Sequence, residues 1–338
     1  MPPSQPQPTA ADQVIQMGRA HQVSRMVYTA ASLGIADHLA RGPLHADELA
    51  RRSGANAAAL YRLLRGLAML GLFTESAPRT FANTPLSDAL RADAPGAARA
   101  TVLTLAGQWM WDSWREFPFS VQTGKPGADK ALGVPIFDYL TEHPDQAALF
   151  NDTMVGFHGP EYEAVARAYD FSGFRTVADI GGGTGSLLAA FLRNNPTLSG
   201  ILFDLPHVTA AAAASLARLN LSSRVTIVPG SFFESVPAAD AYTMSHIIHD
   251  WDKPKCLQIL ANCRKASPKA KVLIIEMVIP PGDTPHPSKM LDLIMLNITG
   301  GQERTGDEYG QLLADAGYRL ARIVPTESPV SVIEGVPG

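Results

Sequence analysis

A chain of 338 residues exceeds one ordinary hydrophobic core and predicts two domains, each with enough apolar side chains to fold. Its 46% hydrophobic residues never run to 18 in a row, and the chain does not start with a basic-then-apolar leader. That pattern supports neither a membrane span nor a secretory signal and predicts a cytoplasmic protein. A formal charge of −4 argues against nucleic acid or anionic lipid as partners, because such binding needs a basic footprint.

Residues 1–10, MPPSQPQPTA, are rich in Pro and Gln and read as a mobile tail. Residues 11–95 read as a first, helical domain. Val14, Met17, His21, Met26 and Leu33 set its first helical pattern, and HADELARRSG and ANAAALYRLLRGLAMLGLF give two helices joined at Ser53-Gly54-Ala55, a helix-turn-helix pattern. Phe73-Thr74-Glu75 and Thr80-Phe81-Ala82-Asn83 predict a short hairpin wing around residues 76–79. Residues 96–170 continue as helices broken by Gly and Pro, a linker and pocket region. Trp109, Trp111, Trp114, Phe117 and Phe119 cluster there as core or as a substrate wall, with core the commoner role for buried aromatics.

From residue 171 to 338 the pattern changes. TVADI, GILFD, RVTIV, AYTMSHI and KVLIIEMV alternate with helical stretches, the signature of a doubly wound, mostly parallel α/β sheet. YRLARIV and PVSVIEG are separated only by Pro325 to Ser328, too short for a crossover, so an antiparallel strand should close the sheet edge. Cys256 and Cys263, the two cysteines, lie about 10 Å apart along a helix read over Lys253–Ala266, too far for a disulfide, and are expected reduced and buried.

The first strand runs into Asp179-Ile180-Gly181-Gly182-Gly183-Thr184-Gly185 just before an apolar helix. Glycines there allow a sharp turn and a close ligand at the carboxyl edge of the sheet. The dinucleotide fingerprint fails in both frames, where Ser186 or Leu188 replaces the third glycine, and there is no P-loop. Asp204, 23 residues after Gly181 at the end of the second strand, can accept both hydroxyls of a ribose. Glycine loop plus acid predicts a nucleoside, with Gly230-Ser231-Phe232-Phe233 beside its base and Trp251 covering it.

DIGGGTG, FDLPHV, GSFF, HIIHDW and GGQERT, in this order, resemble the consecutive motifs of the plant caffeic-acid and flavonoid O-methyltransferase type and its actinobacterial polyketide-tailoring relatives. The resemblance spans nearly the whole chain, because the helix-turn-helix is similar to that family's dimerisation domain. It implies a Rossmann-like methyltransferase sheet with a winged-helix-like dimerisation domain, a homodimer, S-adenosylmethionine as cofactor with S-adenosylhomocysteine as product, and no metal. Gly181 and Asp204 would hold the methionine end and ribose, Asp179 and Gly183 would belong to the same cofactor site, and Leu205 and Phe232 would pack on the adenine. Ser231 and Ser245 depart from the family's usual acid and lysine, which touch the adenine in relatives.

The resemblance further implies methyl transfer to a hydroxyl of a phenolic or polycyclic aromatic secondary metabolite. A phenol ionises near 10, so a base helps at neutral pH, and histidine is the best-matched side chain. His249, after the fourth strand, matches the catalytic histidine, with Glu276 and Glu303 as flanking carboxylates; His246 reads as packing or surface. Glu276 interrupts an apolar strand and demands a partner whatever its role. Phe150, Met154, Phe157, His158, Met290, Ile294 and Met295 match the acceptor-pocket walls of relatives. The alternatives are N-methylation or a non-methylating tailoring reaction on the same fold. A DNA-binding regulator is disfavoured by a second helix that is apolar on too many faces.

Overall fold

The computed structural model describes residues 8–338, and the expected tail lies, up to residue 7, outside them. The chain divides into two compact units, one of residues up to Trp111 with Leu140–Gly156, the other of Asp112–Tyr139 with Phe157–Gly338.

The first unit begins with the helix Ala10–Ser32, started by a capping box in which Thr9 and Asp12 satisfy each other's amides. Strand β1 (Leu44–His45) leads into helices Ala46–Ser53 and Ala57–Met69, separated at Gly54, which takes φ +69° as the left-handed stop between them. The hairpin follows as β2 (Phe73–Ala77) and β3 (Thr80–Asn83), giving a small antiparallel sheet of order β1-β3-β2. Ile35, Leu49, Leu64, Leu67, Phe73 and Phe81 fill its core. The helix-turn-helix and its hairpin form where the sequence pattern puts them.

The second unit is built on β4 (Thr176–Ile180), β5 (Ser199–Asp204), β6 (Val225–Pro229), β7 (Ala241–Ser245), β8 (Lys271–Ile279), the two-residue β9 (Arg304–Thr305), β10 (Tyr318–Pro325) and β11 (Val330–Pro337). The sheet order is β10-β11-β8-β7-β4-β5-β6, with β9 pairing alongside the end of β8. Strands β4 to β8 pair in parallel, and β11 runs antiparallel between β8 and the outer β10. The chain order reverses between β4 and β7, the switch point where open α/β sheets bind ligands. Val177, Leu187, Leu188, Phe191, Leu202 and Leu273 pack one face, and Ile180, Tyr242, Met244, Ile259, Leu260 and Ile274 pack the other. The fourth strand stops at Ser245, two residues short of the run AYTMSHI, because His246 turns to φ +53°. Cys256 and Cys263 are free and buried on the helix Lys253–Ala266.

Candidate active site

The cradle at the ends of β4 and β5 is made mostly of backbone. Gly181 has φ +71°, a left-handed conformation that strains any side chain, and a Cβ added there would also push aside Ile247 Cδ1, 2.4 Å away. The Asp204 carboxylate is held open at the strand end, Oδ2 accepting the Gly183 N–H at 2.8 Å and Oδ1 the Leu205 N–H at 2.7 Å, and each oxygen keeps a lone pair for a ligand. Leu205 beside it is exposed. Past the end of β6, Phe232 and Trp251 lie 6.1 Å apart edge to face, with Phe233 4.9 Å from Trp251. Ser231 Oγ accepts the Phe233 amide at 3.3 Å and so helps form the turn.

Asp179 is 2% exposed. Its Oδ1 accepts the Thr243 hydroxyl at 2.9 Å, while Oδ2 has no partner. Burial raises this acid, against the Thr243 bond and with the charge of Asp204, to about 7. Ser245 Oγ and His246 Nδ1 are likewise buried and unpartnered. Unmet polar atoms at the ends of β4 and β7, beside a glycine turn and a displayed carboxylate, fit a nucleoside that carries a polar tail.

The second cluster is made of side chains. His249, 5% exposed on a 3-10 turn, directs Nδ1 to Glu303 Oε1 at 2.5 Å. Glu276 grips the backbone instead, accepting the His249 N–H at 3.0 Å with Oε1 and the Tyr309 hydroxyl at 2.5 Å with Oε2. This supplies the partners that a fully buried acid in an apolar strand requires. Burial works against a charge on His249, but the carboxylates of Asp250, Glu303 and Glu276 overcome it and raise the imidazole to about 9. Glu276 is itself pushed up, chiefly by burial.

Glu303 reaches the ring because its loop lies against the turn that carries His249. Gln302 N–H donates to His249 O at 2.8 Å, and a Cβ on Gly301 would fall 1.9 Å from that oxygen. Arg304, next in the chain and buried, reaches the carbonyls of Ile248 at 3.3 Å and Trp251 at 3.4 Å. β9 then docks Arg304 opposite Val278, just beyond Glu276 on β8.

His158 and His246 both bond Glu161 Oε2, at 2.8 and 2.9 Å, and their rings stack with centroids 3.8 Å apart and planes 30° apart. A metal would have to lie in both ring planes about 2 Å from each nitrogen. The three ligating atoms lie within 4.8 Å of one another, but both ring nitrogens already point at Glu161 Oε2 at hydrogen-bond distance, so the arrangement suits hydrogen bonds converging on a carboxylate.

Of the residues matched to pocket walls, Phe157, Met290, Ile294 and Met295 belong to the second unit with His158; Phe157 and Met290 are exposed, Ile294 is half-buried and Met295 is buried. Phe150 and Met154 belong to the first unit, both half-buried. The structure thus brings His249, Glu276 and Glu303 into hydrogen-bonding contact and sets Asp204 against the Gly183 amide. It adds Tyr309, Glu161 and Asp250, which sequence reasoning missed. Asp250 adjoins His249 and Glu161 lies one helical turn from His158, which are usable signals; nothing local marks Tyr309.

Family models match residues 16–93 as an O-methyltransferase dimerisation domain and 114–319 as an O-methyltransferase domain. The chain is 43% identical over 326 residues to a phenazine O-methyltransferase of Lysobacter antibioticus, covering 96% of this chain and 95% of that one. Its fold is similar to the mitomycin 7-O-methyltransferase MmcR, with a TM-score of 0.93, 35% identity and coverage of 97% and 98% of the two chains. It is also similar to the O-methyltransferase NcsB1 of neocarzinostatin biosynthesis, solved with S-adenosyl-L-homocysteine and 1,4-dihydroxy-2-naphthoic acid, with a TM-score of 0.84, 34% identity and coverage of 94% and 96%. With its fold, paired domains and level of identity all in agreement, the chain belongs to the O-methyltransferase family and is a methyltransferase enzyme of that family.

Proposed function

We propose that the enzyme transfers a methyl group from S-adenosylmethionine to a hydroxyl of a phenolic or polycyclic aromatic small molecule, with His249 as general base. The observation that carries this reading is the pairing of a buried histidine with Glu303 at the carboxyl edge of β7. The bound cofactor supplies the electrophilic methyl group. Asp204 holds its ribose, the Gly181 and Gly183 turn admits its tail, and Leu205, Phe232 and Trp251 flank its base, with Ser231 and Ser245 at its edges.

The acceptor hydroxyl gives its proton to Nε2 of His249, whose Nδ1–H points at Glu303, so the charge gained by the ring meets a carboxylate. An imidazole raised to about 9 is close to a phenol near 10, which makes the transfer almost thermoneutral. Glu276, through the backbone N–H of His249, fixes the turn and not the ring. Phe157 and Met290, exposed large apolar groups of the kind that mark ligand surfaces, are proposed to line the acceptor together with the half-buried Ile294.

We also propose a homodimer through the first unit. Val14, Ile15, Met17, Met69 and Leu86 are large apolar residues exposed on it, and the dimerisation family model covers all but the first two. No helix among the described residues is long and apolar enough to cross a membrane.

The test is isothermal titration with S-adenosylhomocysteine. Binding by the wild type, weakened about 10- to 100-fold in Asp204→Ala as expected for lost bonds to a charged group, supports the cofactor assignment. Wild-type protein that takes up none of the nucleoside sinks it.

A further inference from the structure

The helix Pro144–Ala168 carries a carboxylate that the chemistry above leaves unused. Glu161 is 6% exposed and receives both its hydrogen bonds on Oε2, from His158 and His246. Its Oε1 accepts nothing among the described residues and is not sealed off. Despite burial, the two imidazole bonds keep the acid ionised, down to about 2. Both of its partners in ion-pair range are histidines; no lysine or arginine among the described residues pairs with it.

His246 does not neutralise that charge. Burial, reinforced by the neighbouring His158, lowers it to about 3, so it donates Nε2–H to Glu161 as a neutral ring and leaves Nδ1 as a bare, buried acceptor. The residue also holds a left-handed backbone, φ +53°, a conformation that costs a non-glycine residue energy and gathers at ligand sites. It stands at the end of β7, next to the unpartnered Ser245 Oγ, while the adjacent β4 presents the unpartnered Asp179 Oδ2. Tyr162, following Glu161, senses the charges of both Asp179 and Glu161. Two acids and a bare lone pair therefore lie at the strand ends of the switch point, where Glu161 is paired with histidines and with no lysine or arginine among the described residues, and its Oε1 stays open to a further positive charge.

We propose that Glu161, with His246 beside it, binds a positive charge at the methionine end of S-adenosylmethionine. The inference rests on the cofactor assignment made above. That charge has two sources, the α-ammonium shared by S-adenosylmethionine and S-adenosylhomocysteine, and the sulfonium carried by the first alone. Methylthioadenosine keeps the nucleoside and has neither.

Isothermal titration of all three ligands into wild type and Glu161→Gln separates the cases. The expected result is a loss of about 10- to 100-fold in affinity for S-adenosylmethionine, with methylthioadenosine unchanged. An equal loss for S-adenosylhomocysteine assigns the ammonium, and an intact one assigns the sulfonium. Glu161→Asp, which keeps the charge, should bind S-adenosylmethionine more tightly than Glu161→Gln. Unchanged affinity for S-adenosylmethionine in Glu161→Gln, a parallel loss for methylthioadenosine, or the reverse order of the two variants overturns the proposal. Wild-type protein that binds none of the three instead removes the cofactor assignment beneath it.

Discussion

The proposed nucleoside cradle and the proposed base site lie along one edge of one sheet but are built in opposite ways. The cradle is backbone: glycine turns, strand ends and one carboxylate held by two amides within 25 residues of chain. The base site is side chain, His249, Glu276, Glu303 and Tyr309, drawn from across 61 positions and buried together. A backbone cradle tolerates change at many side chains and fails at its glycines and its acid. A buried side-chain network fails wherever one partner is lost, because the others stay buried and unmet.

This contrast is most directly broken at His249. His249→Ala should lower kcat by about 10²- to 10⁴-fold, the usual contribution of a positioned base, while titration with S-adenosylhomocysteine stays at the wild-type Kd. Loss of binding together with rate would mean that the two sites are not separable. The pH profile should show the next largest effect. Below about 9 His249 holds a proton and cannot accept another, so kcat/KM should climb roughly tenfold per pH unit from 7 towards 9 and then level. A flat profile between 7 and 9 would remove His249 as the base.

Glu303→Gln sharpens the distinction between the two glutamates. Without that carboxylate the imidazole loses a group that raises it, so the ascending limb should move to lower pH while kcat at its plateau falls about tenfold. An unmoved limb would show that Glu303 does not touch the ring in solution. Smallest is Tyr309→Phe, which removes one hydroxyl from Glu276. It should cost about 1–3 kcal/mol in denaturant unfolding and only a few-fold in kcat, since Glu276 keeps the His249 amide. A kcat loss as large as that of His249→Ala would place Glu276 and Tyr309 in the chemistry itself.

Local pattern carried a large part of this molecule. The helix-turn-helix, the hairpin and the run of strands were legible because the period of apolar residues and the placing of glycines are properties of neighbouring residues. Asp204 was legible too, since a strand end preceding Leu205-Pro206 puts an acid at the sheet edge whatever surrounds it. Even the stop at Ser245 differs from expectation by only two residues, and its cause, the left-handed turn of His246, is stabilised by Glu161 from a helix 85 positions away.

What the sequence by itself determined is therefore the order of elements, the sheet class and the edge that carries the glycine turn and Asp204, all of which follow from short-range periodicity and turn chemistry. Only the tertiary structure decided which glutamate faces the His249 ring, that Gly301 is required for the Glu303 loop to touch the His249 carbonyl, and that Tyr309 satisfies Glu276. Those are pairings between residues far apart in the chain. They are fixed by the cost of leaving buried polar groups without any partner once the surrounding apolar surfaces have closed, a condition that no stretch of neighbouring residues expresses.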